Sequence, residues 1–238
     1  MSIKQNIERA KTDYDEVYEA GQNVIWDYLT NYGEKANYSG AFSSWGMEYF
    51  HPNRKITPTS ANSGSSTFNG CKKLKKLEAA YLDFSQKKRG TSAQEGYYYT
   101  FYNCNEIEEI EDIGMQADYG YSNTFNNCPK LHTIAKIRAD ENTIFTNTFA
   151  YAYALTNIEF EGVIGKAISL QHSTKISKAS IISLINALST NTSGISATFS
   201  KTAVNKAFET SENAKDGAES VEWKTLIGTK SNWTISLA

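Results

Sequence analysis

One phrase recurs through the middle of this chain and limits what the chain can become. It reads Thr67-Phe68-Asn69-Gly70-Cys71-Lys72-Lys73-Leu74-Lys75-Lys76-Leu77, then Thr100-Phe101-Tyr102-Asn103-Cys104-Asn105-Glu106-Ile107-Glu108-Glu109-Ile110. A third copy runs from Thr124-Phe125 through Cys128 and Leu131 to Ile134. A degraded fourth runs from Thr148-Phe149 to Leu155 and Ile158, with Ala152 where the others carry Cys. The phenylalanines are spaced 33, 24 and 24 residues apart. A period in this range describes stacked coils, each too small to bury its apolar face without its neighbours. The expectation is an α/β fold: a short solenoid with a parallel strand ladder, offering surface for binding rather than a catalytic cleft.

Within each coil the Phe, the Cys and the two Leu/Ile positions should point inward. Short strands are expected near 74–77, 107–113, 131–137 and 155–160. The charges agree with that register. Lys73, Lys75 and Lys76 align with Glu106, Glu108 and Glu109 one copy later, and Lys130 and His132 follow in the third. Opposite charges on neighbouring strands stabilise a pairing by ~0.2–1 kcal/mol each. A basic ligand patch at Lys72–Lys76 is the competing reading. Cys71, Cys104 and Cys128, the only cysteines, hold one place in the repeat. They should form an interior column, since an odd number at equivalent positions fits neither a disulfide framework nor a metal knuckle. Ala152 breaks the pattern, which predicts an irregular fourth copy.

The first copy is longer than the next by nine residues, in the polar stretch Gln86 to Ser92. A protruding loop is expected there, with Lys87, Lys88 and Arg89 as candidate binding residues, because insertions in repeat arrays often map to a functional face. Aromatics outside the core positions cluster just before two of the Thr-Phe pairs: Tyr97, Tyr98 and Tyr99, then Tyr119 and Tyr121. Ile144 and Phe145 take that place in the next copy. Two readings stand, a half-buried aromatic ladder between coils and an exposed recognition surface.

The flanks differ. Ile3, Ile7, Ala10, Tyr14, Val17, Gly21, Val24 and Tyr28 alternate in steps of four and three, a heptad seam on one helix over 1–31. That helix either self-associates, with a trimer as the expected form, or caps the array. Residues 36–66 read as an irregular entry coil rich in aromatics. From about 175 the period changes. Ser177 should cap a helix carrying Ile181, Ile182, Ile185 and Leu188. A strand at 195–199, helices near 202–212 and 218–227, a turn at Asp216-Gly217 and a closing strand at 233–237 complete an α/β cap. The expected division is 1–35, 36–66, 67–170 and 171–238.

The phrase Phe-x-x-Cys-x-x-Leu-x-x-Ile resembles the BspA-like leucine-rich repeat family over about 67–165. That resemblance implies a short strand at Leu-x-x-Ile and an irregular return, and is specific for fold more than for function. The flanking segments Lys11 to Gly21, Ser173 to Leu188 and Lys230 to Leu237 look like those of repeat proteins encoded in phages and prophages of gut bacteria. The resemblance implies a tail or baseplate component of the virion, attaching to other virion proteins or to a host-surface protein or glycan. Bacterial surface adhesin and intracellular protein-binding scaffold are the alternatives.

Catalytic patterning is missing. His51, His132 and His172 stand apart at no metal-ligand spacing, and no phosphate loop or nucleophile elbow occurs. The carboxylates of Glu106, Glu108, Glu109, Glu111 and Asp112 invite a glycosidase reading, but lysines stand in matching positions. Net charge is −2, unlike the clustered basic footprint of a nucleic-acid binder. No run approaches the roughly 20 apolar residues that span a bilayer, and the start lacks a signal-peptide core. We therefore expect a non-enzymatic, cofactor-free and metal-free protein that neither binds nucleic acid nor inserts into membranes, made in a host cytoplasm and located in the virion.

Overall fold

The computed structural model describes residues 37–52, 55–92, 94–209 and 217–238. The heptad seam from Ile3 to Tyr28 lies outside the described residues.

The apolar pairs of the repeat set four parallel strands: β1 (Lys76–Leu77), β2 (Glu109–Ile110), β3 (Thr133–Ala139) and β4 (Asn157–Gly162). They lie side by side in the order β1-β2-β3-β4. Leu77 stands beside Ile110, Ile110 beside Ile134, and Ile134 beside Ile158, so one apolar position of each copy forms a buried column. The register of β3 on β4 shifts between Ile134 and Ile137 and resumes with Ile137 beside Phe160. The fourth copy is not irregular: its strand runs six residues. Ala152 is as buried as the cysteines it replaces, and Ser173 Oγ donates to its carbonyl at 3.3 Å.

Opposite the strands, each copy returns through a set of tight turns around its Phe. Two residues before and two after the Phe, the backbone is left-handed: Ser66 and Gly70, Tyr99 and Asn103, Asn123 and Asn127, Asn147 and Tyr151. Gly and Asn adopt this conformation most readily, which accounts for their repetition here. The turns stack by backbone bonds between copies, as in Phe68 N–H to the Thr100 carbonyl (2.9 Å) and Phe101 N–H to the Thr124 carbonyl (2.9 Å). Beneath them the phenylalanines form a column of nearly parallel rings, with centroids 5.3 Å apart for Phe42–Phe68, 5.6 Å for Phe68–Phe101, 5.6 Å for Phe101–Phe125 and 5.8 Å for Phe125–Phe149. Such pairs add roughly 0.5–1.5 kcal/mol each beyond the area they bury.

The polar atoms of the phrase are satisfied by the same stacking. Thr100, Thr124 and Thr148 are buried, and their hydroxyls donate to the Gly64, Tyr97 and Tyr121 carbonyls of the preceding copy. The thiols of Cys71, Cys104 and Cys128 lie 2.9, 3.1 and 3.0 Å from the Phe42, Phe68 and Phe101 carbonyls. Burial pushes the Cys128 thiol up to about 12 and raises that of Cys104, which disfavours the thiolate in both; all three cysteines are fully buried packing groups.

The segment expected to be an irregular entry coil is a further copy. Phe42 heads the ring column, Gly40 and Ser44 are left-handed around it, and Tyr49 bridges to Lys76 beside β1. Trp45 occupies the Cys position and the spacing to Phe50 is one residue short, which hid the match to the phrase.

Beyond β4 come β5 (Ile168–Leu170), α1 (Lys178–Ala187), β6 (Ile195–Phe199), α2 (Lys201–Ala207), α3 (Val221–Gly228) and β7 (Trp233–Leu237). Ser177 caps α1 as its sequence suggested, accepting from the Ser180 N–H. β5, β6 and β7 form a second parallel sheet in that order. The expected second helix is shorter than 202–212, and 210–216 lie outside the described residues. Helix α1 lies against the free edge of β4. There Ser180 Oγ and Ser183 Oγ accept the Ile158 and Phe160 N–H groups, both at 2.9 Å. Two serines thus take the place of a further strand and close an edge that would otherwise invite pairing with another chain. Among the described residues one apolar core runs from Tyr38 to Trp233.

Candidate functional site

The repeats have two outward sides of different chemistry. On the strand side the charges are paired. Lys76 lies 3.6 Å from Glu109 and 2.7 Å from Glu111. Lys136 reaches Glu159 (3.4 Å) and Glu161 (2.8 Å). Arg138 grips Asp112 with both terminal nitrogens, at 2.8 and 2.7 Å, and approaches Glu161 at 3.5 Å, linking three copies. Hydrogen bonding by Arg138 holds the Asp112 carboxyl below the usual range, and Lys76 does the same for Glu111. The expected Lys76–Glu109 and Lys130–Glu106 register is present, the latter at 2.5 Å. Lys75 instead reaches back to Glu48 at 2.6 Å. These partners occupy most of the carboxylates that invited a glycosidase reading. Among the described residues no group of three or more His, Cys, Asp or Glu gathers as a metal site would need.

The turn side carries no charge in its three outward columns. One column is Ser43, Asn69, Tyr102, Asn126 and Ala150; the next is Ser44, Gly70, Asn103, Asn127 and Tyr151; the third is Gly40, Ser66, Tyr99, Asn123 and Asn147. Amides bridge copies, with Asn127 Nδ2 donating to Asn103 Oδ1 at 2.6 Å. Rings cluster at two places. Tyr98, Tyr99 and Tyr102 meet edge to face at 4.3 and 4.7 Å. Tyr151 and Tyr153 are exposed beside His172.

The candidate binding residues separate on this map. Tyr97 and Tyr121 are fully buried and stack at 5.0 Å, with Phe145 next in line at 5.7 Å. They are a second interior column, so the expectation of an exposed surface is corrected for these two. The Tyr97 hydroxyl accepts from Gln116 N–H at 2.9 Å. That of Tyr121 lies 3.1 and 3.2 Å from the Gln116 and Arg138 carbonyls. Tyr98, Tyr99 and Tyr119 are half-buried.

The inserted loop does not protrude. Lys87 is buried, and its ammonium is bound by Asp118 and sits 5.1 Å over the Tyr97 ring. Asp118 also accepts from the Gly90 and Tyr119 N–H groups at 2.8 and 2.6 Å. Arg89 pairs with Asp140, and only Lys88 keeps an exposed side chain without an ion pair. The loop is pinned across neighbouring copies, and Lys87 is an anchor rather than a ligand. Sequence reasoning missed Tyr151, Tyr153 and His172. The available signal was Tyr151, a bulky residue at a place where other copies carry Gly70, Asn103 and Asn127.

Parallel strands on one side, stacked turns on the other and an inward Phe-Cys-Leu-Ile set define a leucine-rich repeat protein. The family model described as "BspA type Leucine rich repeat region" matches in six copies over residues 38–167 and 91–193. This chain belongs to that family. Comparison with curated proteins and with solved structures gives no match.

Proposed function

We propose that this chain is a short solenoid acting as a non-enzymatic phage particle protein, tail- or baseplate-associated, that attaches through its turn side. The observation that carries the binding role is the continuous uncharged face of amides and tyrosines, opposite a strand side whose charges already have partners. Tyrosine and asparagine offer contact area and hydrogen bonds without the desolvation cost of a charge. The particle assignment rests on the phage-like flanking segments. The partners are other virion proteins, or a host-surface protein or glycan, engaged by weak contacts multiplied by copy number. The seam from Ile3 to Tyr28 would supply a trimer, and deleting residues 1–31 should then reduce the measured mass to that of one chain. An unchanged oligomeric mass would remove the seam from that role.

Peptide mass spectrometry on density-purified particles from the source culture tests the assignment. We expect the chain at a stoichiometry near that of tail proteins. Recovery only from the cell lysate would overturn the particle reading and favour an intracellular scaffold.

A further inference from the structure

At the end of the turn side a cleft of about 260 Å³ opens between the fourth copy and the segment around β5. Asn126, Asn147, Tyr151, Ser169, Gln171 and His172 line it. Its volume falls below the ~300–1,000 Å³ of pockets for drug-sized ligands, which fits one ring rather than an extended molecule. Tyr151 is 48 % exposed although it is an aromatic residue in a left-handed conformation, φ 59°. Every copy is left-handed at this position, so it is the turn of the repeat that carries the ring outward here. The Tyr151 ring stacks on His172 at 4.9 Å, and its N–H donates to His172 Nδ1 at 3.2 Å. That bond places the proton of the neutral imidazole on Nε2, where it is a donor. Tyr153, 46 % exposed, stands edge-on to both rings. The lining thus combines an aromatic platform with amide and hydroxyl groups, and holds no Lys, Arg, Asp or Glu.

We propose that this cleft binds one neutral pyranose ring at the end of a larger glycan. The apolar C–H face of the sugar lies on the tyrosine platform, and its hydroxyls meet Asn126, Asn147, Gln171 and His172 Nε2. An acidic sugar is excluded, because no cation in the cleft offsets the cost of desolvating its carboxylate. The inference deepens the attachment reading and rests on it for the source of the sugar.

Ligand-observed saturation-transfer NMR on the full chain tests the site, with neutral hexoses and N-acetylhexosamines as probes and glucuronic acid as the acidic comparison. At least one neutral sugar should receive saturation and glucuronic acid should not. Tyr151→Asn removes the platform while supplying the residue found at the equivalent positions 103 and 127. It should fold at least as stably and weaken sugar binding roughly tenfold or more, the equivalent of about 1.4 kcal/mol. No transfer to any neutral probe, equal transfer to glucuronic acid, or unchanged affinity in Tyr151→Asn would each overturn the proposal. Attachment of labelled protein to host cells separates the two readings. Equal attachment of wild type and Tyr151→Asn overturns the sugar site and leaves attachment standing. No attachment by wild type overturns attachment, and the sugar panel then decides the site independently.

Discussion

The strand side and the turn side are made by the same repeated phrase, yet they solve different problems. The strand side is charged and self-paired: Lys76 with Glu109 and Glu111, Lys136 with Glu159 and Glu161, Arg138 between Asp112 and Glu161. Each of these pairs joins neighbouring copies, so the pairs report register. The turn side has no charge in its three outward columns and shows rings and amides there instead. In a repeat array the interior is shared and the two outer sides are free to diverge. Here one side marks how the copies align, and the other is left available for contact.

The comparison can be broken most forcefully beneath the surface. Lys87 and Asp118 form an ion pair that water does not reach. Lys87→Ala leaves the Asp118 carboxylate buried without a cation and should cost about 3–5 kcal/mol in denaturant unfolding. A loss below about 1 kcal/mol would show that the inserted loop is not pinned there. Next comes Thr124→Val. It removes a buried hydroxyl that donates to a carbonyl of the preceding copy and should cost ~1–2 kcal/mol. A neutral result would mean that backbone bonds alone hold the turn stack.

The exposed strand-side pairs should matter less. Arg138→Ala is expected to cost under about 1 kcal/mol despite its bidentate grip. That pair and the neighbouring Lys76–Glu111 pair give a pH signature. Asp112 in the folded chain titrates below its ordinary 3.8, and Glu111 below 4.5. The unfolded chain therefore binds more protons as pH falls through this window. Their contribution is intact above about 4.5 and is lost as pH drops through the lowered folded values. Thermal melts from neutral pH downward should show a plateau and then a decline, shallower in Arg138→Ala. A decline equally steep in the variant would assign the acid sensitivity elsewhere. The smallest effect has the opposite sign: Tyr151→Asn should stabilise by up to ~1 kcal/mol by easing a left-handed tyrosine. A lower melting temperature would show that the ring is held by packing and not presented at a cost.

The interior could be read from the chain because it repeats. The spacing of Phe68, Phe101, Phe125 and Phe149 locates the ring column, the shared place of the cysteines locates theirs, and alternating Lys and Glu foretell the Lys76–Glu109 register. What escaped was whatever departs from the period. Phe42 heads a copy with Trp45 for Cys and one residue fewer, so the phrase does not match. Tyr97 is interior while its neighbours Tyr98 and Tyr99 are half-buried, a distinction set by the left-handed turn at Tyr99. Lys87 reads as loop chemistry until Asp118, 31 residues on, is brought against it. Ser180 and Ser183 look like ordinary helix residues, and their role depends on the edge of β4. The cleft at Tyr151 combines the fourth copy with residues near β5, a strand the sequence did not announce.

The central claim is that the turn side recognises and the strand side does not. Cell attachment by three labelled proteins tests it most directly: wild type, Tyr151→Asn from the turn side, and Lys136→Gln from the strand side. The account predicts that Lys136→Gln attaches like wild type while Tyr151→Asn loses most attachment. Loss by Lys136→Gln with full attachment by Tyr151→Asn would contradict it and move recognition to the charged side.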